Sequence, residues 1–90
     1  MQAMRTTVTI ENRLGLHARP AMSFVDAASQ FTADIKLIKG AQAVDGKSIM
    51  QLMMLAATQG TELEITAEGA DAEQAIATLE KLVKDKFGEE

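Results

Sequence analysis

The sequence predicts an α+β fold, in which an antiparallel sheet is covered on one face by helices. Two observations carry this prediction: four segments alternate apolar and polar residues as strands do, and three segments repeat apolar residues at helical spacing. The resulting order is βαββαβα, for which a two-layer arrangement of one sheet and one layer of helices is economical. A length of 90 residues allows one domain, expected to span residues 1–90.

The apolar period changes once in the first third of the chain. Residues 4–10 (MRTTVTI) alternate apolar and polar side chains, which predicts a half-buried strand. The following ENRLGLH breaks the alternation and is typical of a loop. From Ala18 the apolar residues recur at helical spacing, and we expect this helix to run to about Gln30.

Three more strands are predicted from the rest of the chain. Residues 33–39 (ADIKLIK) and 41–44 predict a pair joined by a tight turn at Gly40. Residues 61–67 (TELEITA) alternate again and predict the fourth strand.

Two further helices are predicted from their start signals. Ser48 and Gln51 have the spacing of a capping box, which predicts a helix over residues 49–57 that ends near Gly60. Asp71 begins the last helix, where we expect it to be a solvated charge, like Glu73, rather than a catalytic carboxylate. The apolar stripe of this helix is Ala72, Ala75, Ile76, Leu79, Val83 and Phe87, followed by Gly88 as a stop.

Composition excludes several function classes. The chain has no cysteine and one histidine, so we expect no metal site and no cofactor. A net charge of −4 and the absence of Trp and Tyr argue against nucleic-acid binding. No apolar run approaches the roughly 20 residues that span a bilayer. Without membrane insertion, a secretory signal or disulfides, a cytoplasmic location is expected.

The stretch LGLHARPAM contains the only histidine and the only proline of the chain. Pro20 is compatible with the first turn of a helix and places the helix start just after His17. The backbone N–H groups of Ala18 and Arg19 then lie at the positive end of the helix dipole. Arg19 adds a guanidinium whose planar fork suits phosphate oxygens, and Gly15 permits the tight loop before it. These residues predict an anion site with a nucleophile inside it.

The chemistry that fits this site is covalent transfer of a phosphoryl group. Neutral imidazole is a competent nucleophile near neutral pH and can carry a transferable group. A histidine before a helix is also often a simple cap or an exposed loop residue. A hydrolase or transferase that uses His17 as its own catalyst is less favoured, because the motif contains no second acid, base or metal ligand.

Three segments, GLHARPA, DGKSIMQLMMLAA and GTELEITAEGADAEQA, closely resemble the HPr family, the histidine-containing phosphocarriers of bacterial phosphotransferase systems. The resemblance extends over residues 4–87. It implies an open-faced sandwich with strand order 1-4-2-3. It also implies that Nδ1 of His17 accepts a phosphoryl group from enzyme I and passes it to the A component of a sugar permease. Arg19 matches the active-site arginine of the family, and the amides of Ala18 and Arg19 match its phosphate-binding groups.

The resemblance leaves two alternatives open. In many relatives the serine that matches Ser48 is phosphorylated by a dedicated kinase, so the chain could be a regulatory interaction module, with Ser48 also capping its helix. A nitrogen-branch phosphocarrier is the other alternative, although HARPA favours the sugar branch.

The segment IMQLMMLAA is apolar on nearly every side, so periodicity alone does not separate its core face from its surface face. The resemblance places Ile49, Met50 and Met53 on the exposed side, where partners dock. Methionine suits a surface that must accept several different proteins, because its side chain repacks easily. A shuttling carrier of this kind is expected to be a monomer.

Overall fold

The computed structural model describes residues 3–88, which fold as four strands, three α-helices and a final 3-10 turn at Lys86–Gly88. The strands are β1 (Ala3–Thr9), β2 (Asp34–Lys39), β3 (Gln42–Asp45) and β4 (Glu62–Glu68). The helices are α1 (Ala18–Ala28), α2 (Ile49–Met54) and α3 (Ala72–Lys84). The βαββαβα order is therefore confirmed.

The four strands form one sheet in the order β1-β4-β2-β3, and every neighbouring pair is antiparallel. In the middle of the sheet Ile65 lies opposite Thr6 on one side and Leu37 on the other. The order 1-4-2-3 and the open-faced sandwich are confirmed.

One face of the sheet packs against the helices and the other faces solvent. Along β4 the residues Leu63, Ile65 and Ala67 are buried, whereas Glu62 and Glu68 are exposed. The buried side chains meet large apolar residues from each of the three helices, Phe24, Leu52 and Leu79. Fully burying one such side chain stabilises a fold by roughly 1.5–3 kcal/mol. This shared core places all three helices on the same side of the sheet.

Two helices end earlier than the sequence predicts. After α1 the N–H groups of Gln30 and Phe31 bond to the carbonyls of Ala27 and Ala28, three residues back, so the chain tightens before it leaves the helix. The α2 helix stops at Met54 and not at residue 57. Its end is enforced by Ala56, whose φ of +50° is incompatible with a right-handed helix.

The start of α3 corrects one expectation. Asp71 precedes this helix as predicted, but it is not simply a solvated charge, and its side chain makes no capping bond to α3. Its two carboxylate oxygens accept hydrogen bonds from the N–H groups of Thr32 and Ala33, both at 2.8 Å. The Thr32 bond above all, with the Ala33 bond, lowers the pKa of Asp71 from 3.8, against the opposing effect of desolvation. Asp71 thus ties α3 to the segment between α1 and β2.

Phe87 also differs from its predicted place. It was assigned to the apolar stripe of the last helix, which ends at Lys84. Phe87 lies instead in the 3-10 turn with a φ of +56°, and it still buries its ring in the core. Apolar spacing therefore predicted its burial but not its backbone conformation.

Candidate functional site

The loop before α1 is held in place by backbone hydrogen bonds and by one buried side chain. Asn12, which is fully buried, donates from Nδ2 to the carbonyl of Gly15 at 2.7 Å, and the N–H of Gly15 donates to the carbonyl of Asn12 at 3.1 Å. The N–H of Leu16 donates to the carbonyl of Ala57 at 2.8 Å, which joins this loop to the segment after α2. Sequence reasoning missed Asn12. Its position three residues before a turn glycine is the signal that could have revealed it.

Gly15 is required at its position for two independent reasons. Its φ is +70°, in the left-handed region that favours glycine. A Cβ at this position would lie 2.5 Å from the carbonyl oxygen of Ala57 and 2.9 Å from Cα of Thr58. The loop therefore approaches the segment after α2 as closely as a backbone without a side chain allows.

His17 is the N-cap residue of α1. Its backbone is extended, with φ −82° and ψ −170°, and its carbonyl accepts the first helical hydrogen bond, from the N–H of Ala21 at 3.0 Å. Its half-buried side chain does not cap the helix. Because N–H groups in the first turn of a helix have no acceptor within the helix, those of Ala18 and Arg19 are directed toward the space beyond its N-terminus.

The electrostatics of this end of α1 favour an anion. The first turn contains no acidic residue, so the positive end of the helix dipole is not neutralised from within the turn. Arg19 is exposed in that same turn, and Pro20 is buried beside it. The structure therefore brings together His17, Ala18 and Arg19, the residues that the sequence predicts for phosphoryl binding.

Ser48 is the N-cap residue of α2, and its Oγ accepts a hydrogen bond from the N–H of Gln51 at 3.3 Å. The predicted capping box is only half present. The side chain of Gln51 accepts from the N–H of Asp45 at 2.9 Å, and the N–H of Ser48 donates to the carbonyl of Asp45 at 3.2 Å. Asp45 therefore holds the turn before α2 through hydrogen bonds of its N–H group and its carbonyl. Ser48 is half-buried at the edge of this turn.

Several apolar side chains are exposed on α2 and near α1. Ile49, Met50 and Met53 are 37%, 78% and 46% exposed, whereas Leu52 on the same helix is buried. Three further exposed apolar residues were missed by sequence reasoning: Leu14, Met22 and Met54. The position of Met54 four residues after Met50, on the same side of the helix, is the signal that could have added it.

Comparison with known proteins identifies relatives over nearly the whole chain. A family model described as "PTS HPr component phosphorylation site" matches residues 4–85. The chain is 44% identical to the phosphocarrier protein HPr of Neisseria meningitidis over 86 residues, 96% of this chain and 97% of the relative. It is 46% identical to that of Treponema pallidum over 84 residues, 93% of this chain and 96% of the relative.

Solved structures agree with the sequence comparison. The crystal structure of HPr-C-His from Thermoanaerobacter tengcongensis superposes with a TM-score of 0.93 at 46% identity, covering 97% of this chain and 98% of that one. Within residues 3–88, no helix is both long enough and apolar enough to cross a membrane.

Two relatives carry other names. The HPr-like protein Crh of Bacillus subtilis is 42% identical over 79 residues, 88% of this chain and 93% of the relative. The phosphoryl donor subunit DhaM of a PEP-dependent dihydroxyacetone kinase, from Providencia stuartii, is 36% identical over 98% of this chain but only 18% of its own length. Because the family model matches most of the chain and the HPr relatives match end to end, the chain belongs to the HPr family of phosphocarrier proteins of the phosphotransferase system.

Proposed function

We propose that Nδ1 of His17 accepts a phosphoryl group from phospho-enzyme I and passes it to the A component of a sugar permease. The observation that carries this proposal is the place of His17 at the N-cap of α1, where its side chain does not cap the helix. The first-turn N–H groups of α1 are then available to the oxygens of a phosphoryl group on the imidazole.

The transfer exchanges one phosphorus–nitrogen bond for another. The lone pair of Nδ1 attacks the phosphorus atom on the donor histidine, and the bond from phosphorus to the donor nitrogen breaks, leaving its electron pair on the donor ring. The N–H groups of Ala18 and Arg19 and the Arg19 guanidinium stabilise the negative oxygens during and after transfer. Because similar bonds are made and broken, the group can leave again to the next protein.

Docking of the two partners is assigned to the exposed side of α2. Ile49, Met50 and Met53 lie there. The hydrogen bond from the N–H of Leu16 to the carbonyl of Ala57 holds the His17 loop against the segment that follows α2. A partner seated on this surface would therefore also reach the imidazole. We assign the reaction to a monomer in the cytoplasm, with no cofactor.

Two alternatives remain distinct from this relay. Regulation through a kinase that phosphorylates Ser48 is favoured by the position of Ser48 at the start of α2 and by the similarity to Crh, a catabolite repression protein of Bacillus subtilis. A different phosphoryl acceptor, as in the nitrogen branch or in a kinase system such as that of DhaM, would use the same His17 chemistry.

The experiment that tests the relay compares two phosphoryl sources. With enzyme I and phosphoenolpyruvate, we expect an acid-labile phosphoryl group on the wild-type protein and none on the His17→Ala variant. With a serine kinase and ATP, a regulatory module would acquire an acid-stable phosphate that His17→Ala retains and Ser48→Ala lacks. Acid-stable labelling alone would replace the relay with the regulatory function.

A further inference from the structure

The exposed side of α2 concentrates the sulfur atoms of this protein. The chain has six methionines and no cysteine, and three of the six fall within α2. Met50, Met53 and Met54 are spaced i, i+3 and i+4, which makes them neighbours on the helix surface. Their exposed fractions are 78%, 46% and 69%. We call these three residues the methionine face of α2.

These thioethers are the side chains that a mild two-electron oxidant attacks first. Cysteine, tryptophan and tyrosine, which would compete for such an oxidant, are absent from the sequence. Exposure then orders the methionines among themselves. Met4 is half-buried against the core and is protected relative to the methionine face.

We propose that the methionine face of α2 is a reversible oxidation site for peroxides, and that its oxidation weakens docking of the phosphotransfer partners. The inference rests on the proposed function. In each event the sulfur lone pair attacks one oxygen of hydrogen peroxide, and the O–O bond breaks to release hydroxide. Hydroxide then takes the remaining proton from the new S–OH group and becomes water. The sulfur loses two electrons, peroxide is reduced, and the product is methionine sulfoxide.

The structure separates this reaction from folding. The buried side of α2 consists of Leu52, followed by Leu55 just beyond the helix end, and neither residue contains sulfur. Sulfoxides on the exposed side therefore leave the core contacts intact. They do place polar oxygens in the apolar surface that a partner must desolvate, which opposes binding. Methionine sulfoxide reductases restore the thioether, so the change is reversible.

The test uses hydrogen peroxide on the full chain, with peptide mapping to follow each methionine. We expect Met50 and Met54 to gain oxygen first, Met22 and Met53 to follow, and Met4 to react most slowly. Phosphoryl transfer from enzyme I is then measured before and after treatment. We expect the apparent KM of the oxidised protein for enzyme I to rise about tenfold, the order expected when polar groups enter an apolar contact. Circular dichroism checks that the fold persists.

A matched variant locates the effect. In the combined Met50→Leu, Met53→Leu and Met54→Leu variant, treated protein is compared with its own untreated form, and we expect a KM ratio near one. Met22→Leu, substituted on the neighbouring helix, should keep the sensitivity of the wild type. Treatment of oxidised wild-type protein with the two sulfoxide reductases should restore its KM.

Three results would overturn the inference. An unchanged KM after full oxidation of the methionine face refutes it, and so does equal sensitivity in the triple variant. If untreated wild-type protein accepts no phosphoryl group, the proposed function fails first and this inference fails with it. Labelling of the untreated protein therefore distinguishes the two failures.

Discussion

The N-termini of α1 and α2 begin alike and use their cap residues differently. His17 and Ser48 both have extended backbones, and the carbonyl of each accepts the first hydrogen bond of its helix. The Ser48 hydroxyl then accepts the N–H of Gln51, whereas the His17 side chain makes no capping bond. The cap side chain of α2 therefore pairs one first-turn N–H group, and the cap side chain of α1 pairs none.

This difference distinguishes a helix start that stabilises the fold from one that we propose takes part in phosphoryl transfer. At α2 the cap residue contributes to folding, because it pairs an N–H group that lacks a partner within the helix. At α1 no side chain caps the helix, and we propose that the same kind of N–H group binds a phosphoryl group on His17. What holds the α1 terminus in place is the loop before it, through Gly15 and its contact with the segment after α2.

The largest effect is expected from Gly15→Ala, which disrupts the contact between the loop and the segment after α2. The new Cβ would overlap the Ala57 carbonyl, and the positive φ adds strain, so we expect both lower stability and slower transfer. Gly40→Ala is the matched control, since Gly40 also has a positive φ, +59°, but its Cβ would meet no atom within 4 Å. Urea unfolding should show Gly15→Ala to be less stable than Gly40→Ala by roughly 1–3 kcal/mol. Equal losses would mean that the close approach at Gly15 is unimportant.

Arg19→Ala tests how much the Arg19 guanidinium contributes to phosphoryl transfer beyond the backbone N–H groups of α1. The backbone N–H groups remain, so transfer from enzyme I should slow without disappearing. Loss of a hydrogen bond to a charged group corresponds to a decrease of roughly 10- to 100-fold in rate. Arg5→Ala, on the far face of the sheet, is the control and should transfer at the wild-type rate. Wild-type rates for Arg19→Ala would remove the guanidinium from the site.

Asp71→Asn tests a third helix start, where the side chain bonds to another segment. The pKa of Asp71 is lowered on folding, so its carboxylate stabilises the fold above about pH 3.8, and this contribution is lost as the pH falls through the lower, folded value. The wild type should therefore exceed Asp71→Asn in urea midpoint at neutral pH, and the gap should close on acidification. Glu73→Gln, in the first turn of the same helix, serves as the control. A gap that stays constant with pH would contradict this assignment.

A small effect on stability is expected from Ser48→Asp. A carboxylate is still an acceptable cap, so the free energy of unfolding should change by no more than about 1 kcal/mol. Its charge would lie beside the proposed docking surface, and we expect a raised KM with enzyme I and a smaller fall in the maximal rate. Ser48→Asn provides a neutral cap of the same size as Asp, and it should keep a KM near that of the wild type. If Asp and Asn behave alike, charge at Ser48 does not affect docking.

The sequence predicts the fold well because its strands and helices differ clearly in apolar period. It predicts boundaries less well, since the end of α2 depends on the positive φ of Ala56 and the turn at Phe87 on two residues with left-handed backbones. These conformations are set by tertiary packing, which local spacing does not encode. The motif predicts His17 and Arg19 as candidate site residues. The bonds of Asp71 join segments far apart in the chain and could not be predicted from the sequence. The bond of Asn12 to Gly15 is local, and the spacing of Asn12 from that glycine could have revealed it.

The most direct test of the account measures phosphoryl acceptance and stability together in two variants, His17→Ala and Ser48→Ala. We expect His17→Ala to accept no phosphoryl group from enzyme I while its free energy of unfolding stays within about 0.5 kcal/mol of the wild type. Ser48→Ala should be labelled on His17 and lose about 0.5–2 kcal/mol of stability through its missing cap. Labelling of His17→Ala at the wild-type level, or its loss of label only through unfolding, would contradict the division between a reactive α1 terminus and a structural α2 terminus.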